Sequence, residues 1–293
     1  MRLNFTKMHG CGNDYIYVNG FTQTVPQDQK PALVRRLSDR HFGIGGDGVI
    51  FINPSERADF EMEMYNADGS RAEMCGNGIR CVGKYVYDHG MTGGREIFTV
   101  ESFGKVKTLT LTCRDGQALA ARVNMGAPVL DPAQIPAVPS WEVEEGGDPA
   151  QPIMVSDPIE VGGRMWAVTC VSMGNPHAVV FPKEPVKEMD LSAIGPLFEN
   201  HARFPKRINT EFVQIVDRTH VIMRVWERGT GETLACGTGA CAVTVACVLN
   251  GLTERRLEVR LRGGILSIDW DMATNDVYLT GPAATVFEGV AAI

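Results

Sequence analysis

The stretch ERGTGETLACGTGACAV, Glu227 to Val243, has an earlier counterpart in NADGSRAEMCGNGIRCV, Asn66 to Val82. Sliding the chain by about 161 positions lays Tyr65-Asn66 on Trp226-Glu227 and MCGNG (74–78) on ACGTG (235–239). A second pair, Gly12-Asn13-Asp14-Tyr15 and Gly174-Asn175-Pro176-His177, falls in the same order: 62 residues separate Asn13 from Cys75, and 61 separate Asn175 from Cys236. Three elements in one order at one spacing predict a duplicated α+β unit. Each copy reads strand, glycine-rich loop, cysteine, glycine, polar residue, glycine, helix.

Around these segments, period-two apolar patterns predict strands at Asp14–Asn19, Asp59–Asn66, Glu96–Ser102, Lys105–Cys113, Ala118–Met125, Asn209–Val216 and His220–Glu227. Helical patterns are fewer: Lys30–His41, Gly78–His89 and Gly239–Asn250. The Pro-rich, acidic stretch from Pro128 to Pro158 reads as a connection between the halves. Two lobes are expected, 1–124 and 125–280, with a last strand near Ala284–Gly289 bringing segment 281–293 back to the first.

Composition narrows the functional classes. The chain has 293 residues, 44% hydrophobic and 22% charged, with a net charge of −7 and its 28 Lys and Arg dispersed, which argues against a nucleic-acid groove or a polybasic membrane patch. MRLNFTKMHG lacks the order of a signal peptide, and no apolar run approaches a membrane span. A cytoplasmic protein with a small-molecule partner is expected. Its eight cysteines then read as reduced thiols rather than a disulfide framework. Cys81, Cys113, Cys170, Cys241 and Cys247 lie inside strand or helix patterns and read as small buried apolar residues.

Cys75 and Cys236 differ, since each stands where a helix begins. There the unpaired N–H groups and the positive dipole end favour an anion, which can lower a thiol from about 8.5 into the ~3.5–7.5 range or hold a carboxylate. With the lobes facing each other, one thiol reaches each side of a bound ligand. That arrangement suits inversion at a carbon: a thiolate takes the α-proton from one face, the opposing thiol protonates the other, and backbone N–H groups hold the carboxylate. Metal binding is not expected, because C-x-x-C is absent and the gaps 75 to 81 and 236 to 241 do not suit chelation.

Taken together, HGCGNDYIYVNG (9–20), GIGGDG (43–48), YNADGSRAEMCGNGIRC (65–81), GNPHAV (174–179), NTEF (209–212), ERGTGETLACGTGA (227–240) and GPAATVFEG (281–289) resemble the diaminopimelate epimerase family over nearly the whole chain. The resemblance implies two pseudosymmetric lobes, each a strand-rich sheet wrapped around a central helix, with the active site in the cleft between them. It implies cofactor-independent interconversion of LL- and meso-diaminopimelate, on the route to lysine and cell-wall peptide, with Cys75 and Cys236 as acid and base. The proximal carboxylate would be held by the backbone of Gly76-Asn77 and Gly237-Thr238. Asn13, Asn66, Asn175, Asn209, Glu227 and Arg228 would bind the substrate, mostly at its distal end, while His177 and Glu227 would tune the thiols. Phe287 would supply an aromatic homodimer contact. Two departures stand out: a substrate-contacting glutamine common in the family falls at Gly48, and Cys11 replaces a frequent leucine between two glycines.

Other readings fit less well. GIGGDG matches G-x-G-x-x-G but follows a helical pattern and precedes the apolar VIFIN, the reverse of a dinucleotide site. Lys84 lies on a predicted helix with no phosphate loop aimed at it, so no pyridoxal phosphate is implied. A two-thiol racemase of another amino acid and a thiol sensor joining Cys75 to Cys236 by a disulfide remain as alternatives, separated by substrate range and by α-proton exchange.

Overall fold

The computed structural model describes residues 2–72, 74–141 and 153–292. The chain divides into two compact units, Met1–Asn124 with Thr280–Ile293, and Met125–Leu279. In the first run β1 (Arg2–Gly10), β2 (Asn13–Asn19), α1 (Lys30–Ser38), β3 (Gly48–Asn53), β4 (Phe60–Asn66), β5 (Arg71–Ala72), α2 (Gly76–Asp88), β6 (Ile97–Ser102), β7 (Lys105–Arg114) and β8 (Gln117–Gly126). The second contains β9 (Asp157–Val161), β10 (Arg164–Ser172), β11 (Pro176–Val180), α3 (Leu191–Glu199), β12 (Asn209–Ile215), β13 (His220–Glu227), β14 (Gly231–Glu232), α4 (Gly237–Leu249), β15 (Arg256–Leu261) and β16 (Gly264–Trp270). After β17 (Val277–Pro282), β18 (Ala284–Ala292) pairs antiparallel with β1 in the first unit.

The duplication is written in the ladders. In the first unit β1 and β2 are antiparallel, β2 and β3 parallel across α1, β3 and β4 antiparallel, β4 and β6 parallel across α2, and β6 and β7 antiparallel. The second unit repeats this order with β10, β11, β12, β13, β15 and β16, its crossovers made by α3 and α4. Register agrees too, since Tyr15 sits opposite Gly48 as His177 sits opposite Asn209. The short β5 and β14 both fold back on the preceding strand, just before each glycine-flanked cysteine.

Each unit wraps its sheet around one buried helix. Ten of the 13 residues of α2 and ten of the 13 of α4 are buried, so neither is an amphipathic surface helix. α2 packs on β1, β2, β7 and β18; α4 packs on β10, β11, β12, β15 and β16. The opposite sheet faces carry α1 and α3, over cores that include Leu3, Ile16, Val34 and Phe51 in one unit and Val168, Leu191, Phe198 and Phe212 in the other. Strands between two helical layers lose the polar-out half of the alternation, and GVIFIN in β3 is buried from Gly48 to Ile52.

Helix boundaries differ from the sequence pattern for local reasons. α1 ends at Ser38 rather than His41 because the Asp39 carboxylate accepts the N–H groups of His41 and Phe42 and turns the chain. α2 and α4 begin two residues early, each capped by its cysteine. α3 escapes the pattern because it holds Gly195 and Pro196; the glycine is required, since a Cβ there would lie 2.3 Å from the Trp226 ring. The Asp190 carboxylate starts that helix by accepting from Ser192 and Ala193, a cap worth about 0.5–2 kcal/mol. Of the connection expected between Pro128 and Pro158, residues 142–152 lie outside the described residues; the described part pairs Val129 with Ser172 and enters β9. Among the described residues no helix is long and apolar enough to cross a membrane.

Candidate active site

Both glycine-flanked cysteines are helix N-caps with extended backbone. Cys75 has φ −133° and ψ 114°, and its sulfur accepts the Gly78 N–H at 3.3 Å. Cys236 has φ −122° and ψ 111°, and its sulfur accepts the Gly239 N–H at 3.4 Å. The thiol therefore occupies the place where serine or aspartate ordinarily satisfies a free amide of the first turn. Both glycines are needed for the fit. A Cβ on Gly78 would meet Ile50 Cδ1 at 2.8 Å, and one on Gly239 would meet a Glu211 oxygen at 2.7 Å and the Cys236 sulfur at 3.2 Å.

In the first unit the half-buried Cys75 thiol donates to Asn13 Oδ1 at 3.1 Å. Asn13 Nδ2 donates in turn to Asp47 Oδ2 at 2.7 Å, so the aspartate fixes which end of the amide faces the sulfur. Asp47 is itself held by Arg40, which bridges it to Asp14. Behind the first turn of α2, the fully buried Arg80 donates to Gly76 O and to Asn77 Oδ1, both at 2.9 Å, and also to Pro282 O and Cys11 Sγ. The Asn77 side chain is thus turned inward, toward Arg80. Asn66 closes the tight turn to Ser70 through both its main chain and its amide. Tyr15 lies beside the thiol, and burial raises its phenol well above the ordinary range.

The second unit surrounds its thiol differently. Cys236 is buried, and its sulfur lies 3.5 Å from Thr238 Oγ1. Burial, then the charges of Glu227 and Glu211, push its pKa well above 9.0, outweighing the hydrogen bonds from Thr238 and the Gly239 amide. Burial, reinforced by the two carboxylates, thus opposes the lowering that a helix start by itself would give. Burial also raises the Glu227 carboxyl, against hydrogen bonds from Thr233 and Cys236 and the influence of His177. His177 is fully buried, its Nδ1 2.6 Å from Glu211 Oε1 and its Nε2 3.1 Å from Asn175 Oδ1. Asn209 Oδ1 accepts the Arg228 N–H at 2.9 Å. Glu199, at the end of α3, takes the Gly229 N–H and the Trp226 indole, fixing the turn that carries the exposed Arg228.

Of the expected residues, Asn13 contacts the Cys75 thiol, and Thr238 and Glu227 contact the Cys236 thiol; Asn66 lies in the turn before Cys75, and Asn175, His177, Asn209 and Arg228 are linked to one another by hydrogen bonds and by the β11–β12 ladder. Phe287 lies apart on β18, half exposed and edge-on to Phe5 with ring centroids 5.8 Å apart. Gly48 has no space for a side chain, since a Cβ would fall 1.9 Å from Tyr65 O. Cys11 is buried at φ 53°, burial raising its thiol against the opposing pull of Arg80. The sequence pattern missed Asp47, Arg80, Glu199 and Glu211. Three of these stood inside quoted motifs, in GIGGDG, CGNGIRC and NTEF, where an ionisable residue flanked by apolar or glycine neighbours was the available signal.

Comparison with known proteins agrees with this geometry. The family model for diaminopimelate epimerase matches residues 5–130 and 169–286. Diaminopimelate epimerases from Desulfovibrio desulfuricans and Acetivibrio thermocellus are 55% and 56% identical over 287 residues, covering 98% of this chain and 97% and 98% of theirs. A crystal structure of the Bacillus anthracis phenazine biosynthesis protein of the PhzF family superposes with a TM-score of 0.67 at 15% identity, covering 100% of both chains, and so shares the fold. Since the family model spans both copies of the repeat, and relatives more than half identical align along nearly their whole length, this chain belongs to the diaminopimelate epimerase family.

Proposed function

We propose that the protein interconverts LL- and meso-diaminopimelate by two-base proton transfer between Cys75 and Cys236, without a cofactor. The observation that carries this reading is the pair of thiols, each the N-cap of a buried helix at the same point of a duplicated fold. One thiolate takes the α-proton from one face of the substrate carbon, and the other thiol delivers a proton to the opposite face. The first-turn amides of α2 and α4, at Gly76-Asn77 and Gly237-Thr238, hold the proximal carboxylate as negative charge builds on the carbanion. Loss of one such donor typically costs about 2.7–4 kcal/mol of transition-state stabilisation. Burial, then the charges of Glu227 and Glu211, favour the protonated form of Cys236, and the two thiols exchange acid and base roles when the opposite isomer reacts.

At the distal end, Arg228 forks onto the second carboxylate and Glu227 receives the ammonium, with Asn13, Asn66, Asn175 and Asn209 completing the recognition. Glu227 and His177 also set the ionisation of the Cys236 thiol. The enzyme would act in the cytoplasm, in lysine and peptidoglycan precursor synthesis, as a homodimer using Phe287. The test is α-proton exchange by NMR: reduced protein, LL-diaminopimelate and deuterated water, with Cys75→Ala, Cys236→Ala and a panel of proline, glutamate and lysine. Deuterium at the α-carbon with growth of the meso isomer, lost in both variants, is the expected result. Exchange only with another amino acid would discard the substrate, and no exchange in folded, reduced protein would discard the chemistry.

A further inference from the structure

Glu211 is a fully enclosed carboxylate of the second unit. It lies on β12 with no solvent exposure, and Oε1 meets His177 Nδ1 at 2.6 Å. Its Oε2 has no hydrogen-bond partner among the described residues. The equivalent position in the first unit is Ile50: each is two residues past the ladder partner of Tyr15 or His177, and each lies against the glycine three residues after the cysteine. A carboxylate where the fold accepts isoleucine costs several kcal/mol of desolvation unless it serves a partner. The ring of His177 is the partner in contact.

We propose that Glu211 is a positioning residue for the substrate-recognising amide of Asn175, acting through the orientation and tautomer of His177. The argument rests on donor and acceptor roles. An ionised carboxylate only accepts, so Nδ1 of His177 carries a proton whether the ring is neutral or charged, and Nε2 becomes the variable end. Nε2 lies 3.1 Å from the Asn175 side chain. A neutral ring accepts from the Asn175 NH2 and leaves its oxygen outward; a charged ring donates to Oδ1 and leaves the NH2 outward. In both states Glu211 decides that Nε2 is the atom Asn175 must match. Cys236 and Glu227, near the N-terminus of α4 and at the end of β13, and Cys170 on β10 are the other ionisable groups in this field.

The proposal assumes the epimerase reading in taking Asn175 as a substrate contact, and its test separates the two. Imidazole nitrogens of the 15N-labelled full chain are followed by long-range proton–nitrogen NMR, with His177→Gln identifying one of six histidine signals. The wild-type ring is expected to carry its proton on Nδ1, and Glu211→Gln, whose amide can donate as well as accept, to give mixed tautomers. In the same variant the KM for LL-diaminopimelate should rise about tenfold or more, the scale of one lost hydrogen bond to a charged group, whatever change kcat shows from the loss of the Glu211 charge near Cys236. A wild-type His177 protonated on Nε2 alone overturns the proposal without any variant having to fold. So does an unaltered ring spectrum, or an unaltered KM, in folded Glu211→Gln. Should the wild type epimerise nothing, the functional reading falls while the ring spectra still decide whether Glu211 sets the tautomer.

Discussion

Replacing Gly239 by alanine separates what helix propensity predicts from what this site demands. Gly to Ala inside a helix is ordinarily favourable by up to about 1 kcal/mol. Here the new methyl would lie 2.7 Å from the Glu211 oxygen, 3.0 Å from Met223 Cε and 3.2 Å from the Cys236 sulfur. Met223 can swing its terminal methyl aside, but the carboxylate is pinned to His177 in a site without solvent. Overpacking of this kind costs about 1–3 kcal/mol, so the helix gain leaves a net loss of about 0–2 kcal/mol and a protein that still folds. Activity should suffer more than stability, because Glu211 and the Cys236 sulfur must both give by tenths of an ångström, and a full ~1 Å misplacement costs on the order of a hundredfold. Urea unfolding and α-proton exchange measure the two effects separately. Gly83→Ala is the control: its methyl meets the Cδ2 atoms of Leu109 and Leu111 at 2.8 and 3.3 Å, flexible side-chain ends that can yield, and Phe98 Cζ at an ordinary 3.8 Å. Wild-type exchange in Gly239→Ala, or an equal loss in Gly83→Ala, would refute the reasoning.

Two further predictions concern ionisation. Burial opposes the charge on Glu63, but Lys30, Gln27 and Tyr65 hold its pKa down from 4.5 to about 2, a difference equivalent to about 3 kcal/mol. Because the folded-state value is depressed, that contribution is full above pH ~4.5 and is lost as the pH falls through about 2. Glu63→Gln should therefore lower the urea midpoint sharply at pH 7, with the gap to wild type closing toward pH 2; a gap independent of pH would contradict the assignment. For Cys236 the pKa lies well above 9.0, so alkylation at this residue, read by peptide mass spectrometry, should rise about tenfold per pH unit through pH 9. A plateau near neutrality would show that the carboxylates around it do not act as described.

The elements legible in the sequence were those whose signal is local. The cysteine N-caps and the glycine-flanked turns depend on residues a few positions apart, and the repeat shows because those local patterns recur about 161 positions later. What escaped depends on packing against distant chain. DFEMEMYN reads as a strand with outward acids, yet Glu63 is buried because Lys30, on a helix 33 residues earlier, reaches across to it. α3 looks unlike a helix because Gly195 answers to Trp226, and Glu199 at its end holds a turn 30 residues later. Glu211 shows the limit most clearly. Its position in NTEF follows strand alternation, and only the fold reveals that both faces of β12 are covered.

The two copies of the unit keep the same backbone device and differ in the charges placed behind it. Topology, register and the cysteine cap repeat, since all three follow from main-chain hydrogen bonding and the absence of a side chain at Gly78 and Gly239. The inner-face side chains do not repeat. His177 stands where the other copy has Tyr15, Asn209 where it has Gly48, Glu211 where it has Ile50, and Glu227 where it has Asn66. In the opposite direction, the buried cation Arg80 stands where the second copy has Cys241. Two thiols in identical surroundings would bind a proton equally well, so any standing difference between them must come from the side chains around them. Glu227 and Glu211 stand around Cys236, while Arg80 lies behind the first turn of the helix that Cys75 caps, so the two thiols sit in unlike surroundings on a repeated backbone. The difference between the two thiol sites thus resides in a few substitutions on a framework that the duplication otherwise left alike.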